Sequence, residues 1–523
     1  MMLRFSLVLL VGLSAPSSWG AVTEIYPGES FKAAFEALGP GDTLIVHEGT
    51  YSESGPRIRI SAQGTESQPI IAKGADGEAR PLITRPAGST PQNTINIEGA
   101  SWVTISHLEI TGNGDGINMT GGPHHIFIED NEIHDIDVGV NFRSSMHSIF
   151  VRRNHIYNTA GTAEGMYVGC NNAACAVSNS VIEQNWIHDT RGGQGDGIEI
   201  KYGSYGNIIR DNVIHDCQYP CILAYGVEDA NVGSPNIIEG NVVWACGQGI
   251  DVIADATVRN NIIIDTLETQ SHVQVPIMRN VSLVNNTVIG SMSLGGWGGG
   301  SDPSSFVVAN NVVYGGSISN QPTGAIFSGN QEHSAGTSGI FVDQANQDYW
   351  PAPGSPLLGA ADATYAPSID FNGTPRVDPF DVGAYETEGL VSNPGWPIQD
   401  GFKEVSGVAG RVPDGGDLPG APLELTKEPG GDLTLSWDAS CQADDDDYAV
   451  YGGSIGDFSS HAATLCSTGG ETNVTFTPGA GDSYYLVTPV DGLREGLLGT
   501  DSAGNDRPAA VVPCLLRSFG PCG

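Results

Sequence analysis

Short apolar segments recur along most of this chain, and turns rich in glycine and asparagine separate them. The pattern Asn-x-Ile/Val returns at intervals of 20 to 31 residues, starting at Asn131, Asn154, Asn185, Asn212, Asn241, Asn261, Asn286 and Asn311. Each interval has room for about three short strands and three turns, with loops inserted in the longer intervals. The pattern therefore predicts a coil of stacked rungs.

This periodicity predicts an all-β fold, a right-handed parallel β-helix in which equivalent residues lie about 4.8 Å apart from rung to rung. Phe31, Phe35 and Leu38 share one face of a short helix, which would cover the open end of the solenoid. The recurring Asn is interpreted as structural, because its amide can bond the next rung and left-handed backbone geometry suits Asn. We also predict a structural ladder from three histidines at one repeat position, which are His134, His188 and His215.

The chain divides into four predicted parts. Residues 1–20 are interpreted as a secretory signal peptide, with Arg4 before an apolar run and small residues before the cut. The other parts are the β-helix over 21–386, a linker rich in Pro, Gly and Asp over 387–422, and a small β-sandwich over 423–523. We expect a monomer that is secreted, periplasmic or at the cell surface, without membrane insertion.

The composition is acidic. Sixty Asp and Glu against 22 Lys and Arg give a formal net charge of −38, which argues against nucleic acid or an anionic membrane as a partner. If the substrate is a polyanion, local cations or calcium must overcome that overall field.

Nine cysteines in an exported chain predict disulfides, with one cysteine left over. Cys217 and Cys246 each follow a repeat Asn by five residues, so stacking predicts that they pair and that Cys221 is the odd thiol. A local Cys217–Cys221 pair is the alternative. The remaining predicted pairs are Cys170–Cys175, Cys441–Cys466 and Cys514–Cys522.

Two columns of side chains are predicted to point outward from one face of the coil, because side chains alternate along a strand. The first column is Asn118, Asn141, Tyr167, Glu199, Leu223 and Asp251. The second column is Thr120, Arg143, Gly169, Lys201, Tyr225 and Ile253. The alignment predicts that Arg143, Tyr167, Glu199, Lys201 and Tyr225 share one exposed patch.

That patch has the groups that β-elimination of a uronic-acid polysaccharide needs. Arg143, or a calcium ion held by Glu199, could neutralise the sugar carboxylate. Lys201 or a tyrosine could remove the proton at C5, and Tyr225 or Tyr167 could protonate the leaving oxygen. Asn141 and Asp251, farther along the column, are candidate substrate-binding residues. The structural alternative is that Glu199 and Lys201 form an ordinary surface ion pair, worth about 0–1 kcal/mol.

The rungs from about Gly41 to Tyr385 resemble the right-handed β-helix repeat family. The segment Gly64 to Ala72 is similar to the opening of the chondroitinase-B and alginate-lyase type, and the closing segment Asp381 to Tyr385 to the last coil of many secreted bacterial β-helix proteins. The segment from Asp196 to Lys201 resembles the Asp-Gly-Phe segment of calcium-dependent pectate lyases. That resemblance makes Asp196 a candidate calcium ligand. Glu199 and Lys201 resemble the acidic calcium ligand and the basic Lys of the chondroitinase-B and alginate-lyase type, so both resemblances imply a polysaccharide lyase. Residues 423–523 resemble a fibronectin type III module, to which four cysteines are added.

The sequence therefore favours an exported β-helix protein that acts on an acidic polysaccharide, with β-elimination as the reaction. One alternative is a non-catalytic surface or glycan-binding protein. Another is a glycoside hydrolase that uses Glu199 and Asp251, which would lie two rungs or about 9.6 Å apart. The enzyme hypotheses predict a groove along the two columns, and the binding hypothesis predicts a flat or covered face.

Overall fold

The computed structural model describes residues 20–499 except 87–91, 228–233, 271–276, 296–299, 303–304, 404–408, 414–417, 419, 443–444, 459, 480 and 492–493, together with 507, 510 and 513–517. The predicted signal peptide lies outside these residues, apart from Gly20. None of the helices in the described part of the chain is long and apolar enough to span a membrane.

The structure is an all-β parallel coil with three faces, as predicted. The strands of the first face pair in parallel and are Val22–Ile25, Thr43–Val46, Ile70–Gly74, Ser101–Ser106, His124–Glu129, Met146–Arg152, Val181–Glu183, Ile208–Arg210, Asn236–Glu239, Ala254–Arg259, Ile277–Val284, Phe306–Ala309 and Ile326–Ser328. The short strands Val177–Ser178 and Gly300–Ser301 pair beside them.

The second face follows the Asn turn. Its strands are Thr50–Ser52, Leu82–Thr84, Glu109–Ile110, Glu132–Ile136, His155–Thr159, Trp186–Thr190, Val213–His215, Val242–Trp244, Ile262–Ile264, Thr287–Leu294, Val312–Ser319 and Gln331–His333. The third face carries the predicted columns. Its strands are Ile58–Ile60, Ile95–Glu98, Ile117–Thr120, Val140–Phe142, Met166–Val168, Ile198–Ile200, Ile222–Ala224, Ile250–Val252 and Leu267–Thr269. The long strand Thr287–Leu294 pairs with both faces and joins them into one sheet.

The predicted helix covers the first rung and spans Phe31–Glu36. Ser30 is its N-cap, and the Ser30 hydroxyl oxygen accepts a hydrogen bond from the Ala33 amide at 3.1 Å. Phe31 and Phe35 are fully buried and their ring centroids lie 5.2 Å apart. Two 3₁₀ turns, Asn171–Ala173 and Gln344–Asn346, interrupt the described strands elsewhere.

The repeat asparagines form a buried ladder, which confirms their structural role. Asn212 Nδ2 donates to the Ile182 carbonyl and to Asn241 Oδ1, both at 3.0 Å. Asn212 Oδ1 accepts from the backbone amide of Asn185 at 3.0 Å and from its Nδ2 at 2.9 Å. Each of these side chains thus bonds the backbone and side chain of the adjoining rungs.

The left-handed backbone geometry lies one residue earlier than we expected. Asp130, Arg153, Gln184 and Asp211 have φ between 52° and 55°, and each precedes a repeat Asn. The ladder asparagines are absent from the residues with positive φ, because each must keep the extended geometry that begins a second-face strand. The side-chain hydrogen bonds, rather than a left-handed backbone, therefore explain the choice of Asn.

The C-terminal part packs on the outside of the coil. Trp350, Phe371 and Trp396 belong to an apolar cluster that includes Val213 and Val242 of the second face. The antiparallel pair Phe341–Asp343 and Asp348–Pro351 contributes to this cluster. The later antiparallel strands form a three-stranded sheet of Glu424–Lys427, Leu433–Ser436 and Asn473–Phe476, and a second sheet of Asp447–Ser454, Ala462–Leu465, Ser483–Asp491 and Arg494–Glu495, to which Leu516–Arg517 is added in parallel. The fibronectin type III resemblance and the domain bounds stay predictions.

Two cations fix this C-terminal part to a buried aspartate of the coil. Lys403 Nζ bonds Asp211 Oδ1 at 2.7 Å and the carbonyls of Gly240 and Phe371 at 2.8 and 2.7 Å. Arg494 pairs with the other oxygen of Asp211. Because breaking a buried ion pair leaves uncompensated charge, these contacts hold the C-terminal part against the coil.

The disulfides correct most of the predicted pairs. Cys170–Cys175 is confirmed. The predicted Cys217–Cys246 pair is wrong, because Cys246 bonds Cys221 with a Cα–Cα distance of 5.6 Å, and Cys217 is a buried free thiol. Cys221 is fully buried just before the strand Ile222–Ala224, and its side chain bonds Cys246 from inside the coil. Counting residues from the repeat Asn does not show which side chains point inward.

The predicted pairs Cys441–Cys466 and Cys514–Cys522 are also wrong, because Cys466 bonds Cys514. The Cys514 amide donates to the Tyr451 hydroxyl at 2.6 Å, which holds Cys514 against the sheet that ends next to Cys466. Cys522 lies outside the described residues.

Replacing Asn212 tests the ladder. Asn212→Ala leaves the Asn185 amide and the Ile182 carbonyl buried without this partner, so we expect the free energy of unfolding to fall by roughly 2–4 kcal/mol. Asn171→Ala removes an exposed amide and is the matched control, with an expected change below about 0.5 kcal/mol. Urea unfolding followed by circular dichroism measures both, and equal midpoints would contradict the ladder's role.

Candidate active site

The two outward columns are in the predicted register. In the first column, Asn118 pairs with Asn141, Asn141 with Tyr167, and Tyr167 with Glu199; Leu223 and Asp251 follow in order. The second column continues through backbone bonds just beyond the strand ends, from the Lys201 amide to the Val168 carbonyl and from the Tyr225 amide to the Ile200 carbonyl. Lys201, Glu199, Tyr167 and Tyr225 are therefore neighbours.

The expectation of one exposed patch is wrong. Only 2% of Glu199 and 3% of Lys201 are exposed, and Tyr225 is also buried. Tyr167 is half-buried and Arg143 is exposed. Alternation along a strand tells which side chains leave the core, but it cannot tell whether other parts of the chain then cover them. The patch is thus a buried group of polar side chains with Arg143 at the surface.

Lys201 lies at the centre of this group. Its Nζ pairs with Glu199 Oε1. The same nitrogen lies 4.5 Å from the centroid of the Tyr167 ring and 5.4 Å from that of the Tyr225 ring, within reach of cation–π attraction. The Tyr225 phenol donates a hydrogen bond to Glu199. Glu199 thus receives bonds from both possible proton-transfer groups.

Burial changes the acidity of these groups. Desolvation raises the pKa of Glu199, although the Lys201 charge opposes that shift. Desolvation and the Glu199 and Asp196 carboxylates raise the pKa of Tyr225 far above its ordinary value, so its phenol keeps its proton at neutral pH. Desolvation also raises the pKa of Tyr167.

Two further carboxylates lie next to Glu199, and the sequence analysis missed one of them. Asp196 and Glu164 occupy equivalent turns on adjoining rungs, since the Gly165 amide bonds the Asp196 carbonyl. Desolvation raises the pKa of Glu164 to about 7. Desolvation, followed by the charges of Glu199 and Glu164, raises the pKa of Asp196 well above its ordinary value. The sequence signal for Glu164 was available, because Glu164-Gly165-Met166 aligns with Asp196-Gly197-Ile198.

The predicted substrate-binding residues flank this cluster on opposite sides. Asn141 Nδ2 donates to Asp115 Oδ2 at 3.0 Å, and Asn118 Nδ2 donates to the same oxygen at 2.9 Å. Asp251 Oδ2 accepts a bond from Gln270, and desolvation raises the pKa of Asp251 to about 7. Leu223 lies on the rung between Glu199 and Asp251, so the two acids are two rungs apart. Both Asn141 and Asp251 are buried.

The carboxylates do not form a ready calcium site. One oxygen of Asp196 and one of Glu199 are buried without a hydrogen-bond partner among the described residues, which suits a hard cation. However, the described residues bring three ligand atoms within 4.8 Å of one another only at Cys217, Cys221 and Cys246. The predicted role of Asp196 and Glu199 as calcium ligands stays a prediction, and no step below depends on calcium.

Glu164 gives a test of this electrostatic description. Its pKa is about 7 in the folded protein against an ordinary 4.5, so the folded state retains a proton that the unfolded state releases. The stability of the wild type therefore falls as pH rises through that window, and Glu164→Gln should remove roughly 2 kcal/mol of this loss between pH 4.5 and pH 8.

Chemical unfolding of both proteins across this pH range measures the difference. Glu332→Gln, at an exposed carboxylate of the strand Gln331–His333, is the matched control. Parallel stability curves for the wild type and Glu164→Gln would contradict the raised pKa of Glu164.

Comparisons with known proteins support the fold. A family described as "Right handed beta helix region" matches residues 88–232 and 192–331. No curated protein sequence matches this chain. A solved alginate lyase from Paenibacillus sp. str. FPU-7 is 19% identical with a TM-score of 0.38, covering 60% of this chain and 99% of its own.

Two other solved structures are also similar to this chain, again at low sequence identity. A pectate lyase is 13% identical with a TM-score of 0.45, covering 71% of this chain and 97% of its own. A mannuronic acid specific polysaccharide family 6 lyase from human gut microbiota is 16% identical with a TM-score of 0.42, covering 64% of this chain and 91% of its own. The stacked rungs and the matched family together show that the fold is a right-handed parallel β-helix.

Proposed function

We propose that this protein is an exported polysaccharide lyase that cleaves a uronate-containing polymer by β-elimination at the Lys201 cluster. The observation that carries the proposal is the contact of Lys201 Nζ with Glu199 between the rings of Tyr167 and Tyr225. A base, a group that can take its proton and a protonated phenol are thus neighbours on one face of the coil. The described disulfides Cys170–Cys175 and Cys221–Cys246 support export, because such bonds persist in oxidising compartments.

The proposed reaction needs three tasks, and each has a group. Arg143, the exposed cation of the column, neutralises the uronate carboxylate and so stabilises the developing negative charge. Glu199 first takes a proton from the ammonium group of Lys201, and the resulting neutral amine of Lys201 then removes the proton at C5. Desolvation raises the pKa of Glu199, which helps its carboxyl group to accept the proton from Lys201. The electrons of the C5–H bond form the C4–C5 double bond as the C4–O bond breaks.

Tyr225 is the proposed acid for the leaving oxygen. Its raised pKa keeps the phenol protonated, so it can donate a proton to the oxygen that leaves C4. The phenolate that forms is then reprotonated from the Lys201–Glu199 pair, to which Tyr225 is bonded. Tyr167, which is half-buried, would lie between the polymer and Lys201.

Lys201→Arg tests the role of the base. The guanidinium keeps a charge partner for buried Glu199 but cannot be deprotonated in a protein, so we expect activity to fall by at least about 100-fold while the fold is retained. The mature protein is incubated with alginate, pectate, chondroitin and heparan-type polymers, with and without calcium, and the absorbance of unsaturated uronate is recorded. Lys427→Ala, at an exposed lysine of Glu424–Lys427, is the control and should keep full activity.

Binding without catalysis is the second candidate function. Its specific support is the burial of Glu199 and Lys201. An enzyme was expected to expose these side chains along a groove, whereas a binding protein was expected to have a flat or covered face there. Retention of the protein on an affinity gel of one polymer, with no absorbance change on any of them, would favour binding over the lyase. New reducing ends without unsaturated uronate would favour the hydrolase alternative based on Glu199 and Asp251.

A further inference from the structure

A stack of aromatic and histidine rings runs along the second face, whereas the Lys201 cluster lies on the third face. The predicted histidine ladder is confirmed there, with Tyr157 and Trp244 as additional members. Successive ring centroids lie 4.7, 5.3, 5.0 and 4.4 Å apart along His134, Tyr157, His188, His215 and Trp244. The rings are nearly parallel, with interplanar angles of 4° to 7°.

His155 lies beside this ladder, and its ring faces that of His188. The two Nε2 atoms are 2.9 Å apart. His155 stacks on Trp186 at 3.9 Å with an interplanar angle of 2°, and His188 is stacked between Tyr157 and His215. Both imidazoles are thus held in place, and both stay partly open to solvent.

The hydrogen bonds determine which nitrogen of His188 has a free lone pair. His188 Nδ1 lies 2.9 Å from Asp189 Oδ2, and a carboxylate only accepts, so Nδ1 holds the proton. In the neutral ring the lone pair is then on Nε2, which points at His155. The two Nε2 atoms thus face each other across 2.9 Å, on rings that stacking holds in place.

We propose that His155 and His188 form a binding site for a divalent transition metal, with Cu²⁺ as the best fit. Both Nε2 atoms would be ligands, and Asp189 would orient His188 as the carboxylate partner that metal-binding histidines usually have. With metal–nitrogen bonds of about 2.05 Å, a separation near 2.9 Å fits ligands at right angles, whereas tetrahedral ligands would be about 3.3 Å apart. Right-angled nitrogen ligands are typical of Cu²⁺ and Ni²⁺ rather than Zn²⁺.

A direct bond in which one imidazole donates to the other explains the same distance, and metal uptake separates the two explanations. The full mature chain is titrated with Cu²⁺ at neutral pH, in a Cys217→Ser background that removes the described free thiol. Paramagnetic resonance should show one bound Cu²⁺ with two nitrogen ligands. His155→Gln and His188→Gln should each weaken binding by at least tenfold.

Three further variants decide whether Cu²⁺ binds between His155 and His188. His134→Gln changes a ring of the same ladder that has no facing imidazole nitrogen, and it should bind Cu²⁺ as the parent does. Asp189→Asn keeps both imidazoles and should weaken binding by about tenfold, even if a histidine variant fails to fold. His124→Gln tests the other facing pair, whose Nδ1 atoms in His124 and His125 are 3.0 Å apart. Copper that remains in His155→Gln, or that is lost in His124→Gln or His134→Gln, overturns the proposal.

Discussion

The asparagine ladder is the interaction on which the other features of this molecule depend. Each buried amide bonds the backbone and the side chain of the adjoining rungs at about the same distances, from Asn131 to Asn330. This repeated bond fixes the rotation of each rung relative to the last, so residues 19 to 31 positions apart in the sequence stack directly on one another. The Lys201 cluster and the histidine stack both lie in columns that this ladder aligns.

Because rungs stack at a fixed spacing, the charges along each face show whether every charged side chain has an oppositely charged neighbour on the next rung. On the first face, Glu and Arg alternate from rung to rung, so that each buried charge lies next to its opposite: Glu129, Arg152, Glu183, Arg210, Glu239 and Arg259. The third face breaks that balance among the described residues, because three carboxyl groups, Glu164, Asp196 and Glu199, lie near the ammonium group of Lys201. Structural ladders compensate their charges, and the cluster that does not is the better candidate for chemistry.

The sequence correctly predicted the features that follow from the repeat period, such as strand register. It did not predict contacts between segments that are far apart along the chain. Alternation along strands was enough to place Tyr167, Glu199 and Asp251 in one column, because strand register is set by the repeat itself. It could not show that Glu199 and Lys201 are covered. The Cys221–Cys246 bond depends on which side chain points inward, and the contact of Lys403 with Asp211 joins residues far apart in the sequence. Neither has a periodic signal.

Burial of the Lys201 cluster has two opposite consequences for catalysis. It limits the approach of a polymer, which in the proposed reaction would meet exposed Arg143 and half-buried Tyr167 first. It also lowers the effective dielectric around Glu199 and Lys201, which strengthens each electrostatic interaction of this pair. Desolvation raises the pKa of Glu199, so in the proposed reaction this carboxyl group accepts a proton more readily. The covering that hides the proposed base from the polymer thus also makes its carboxyl partner a better proton acceptor.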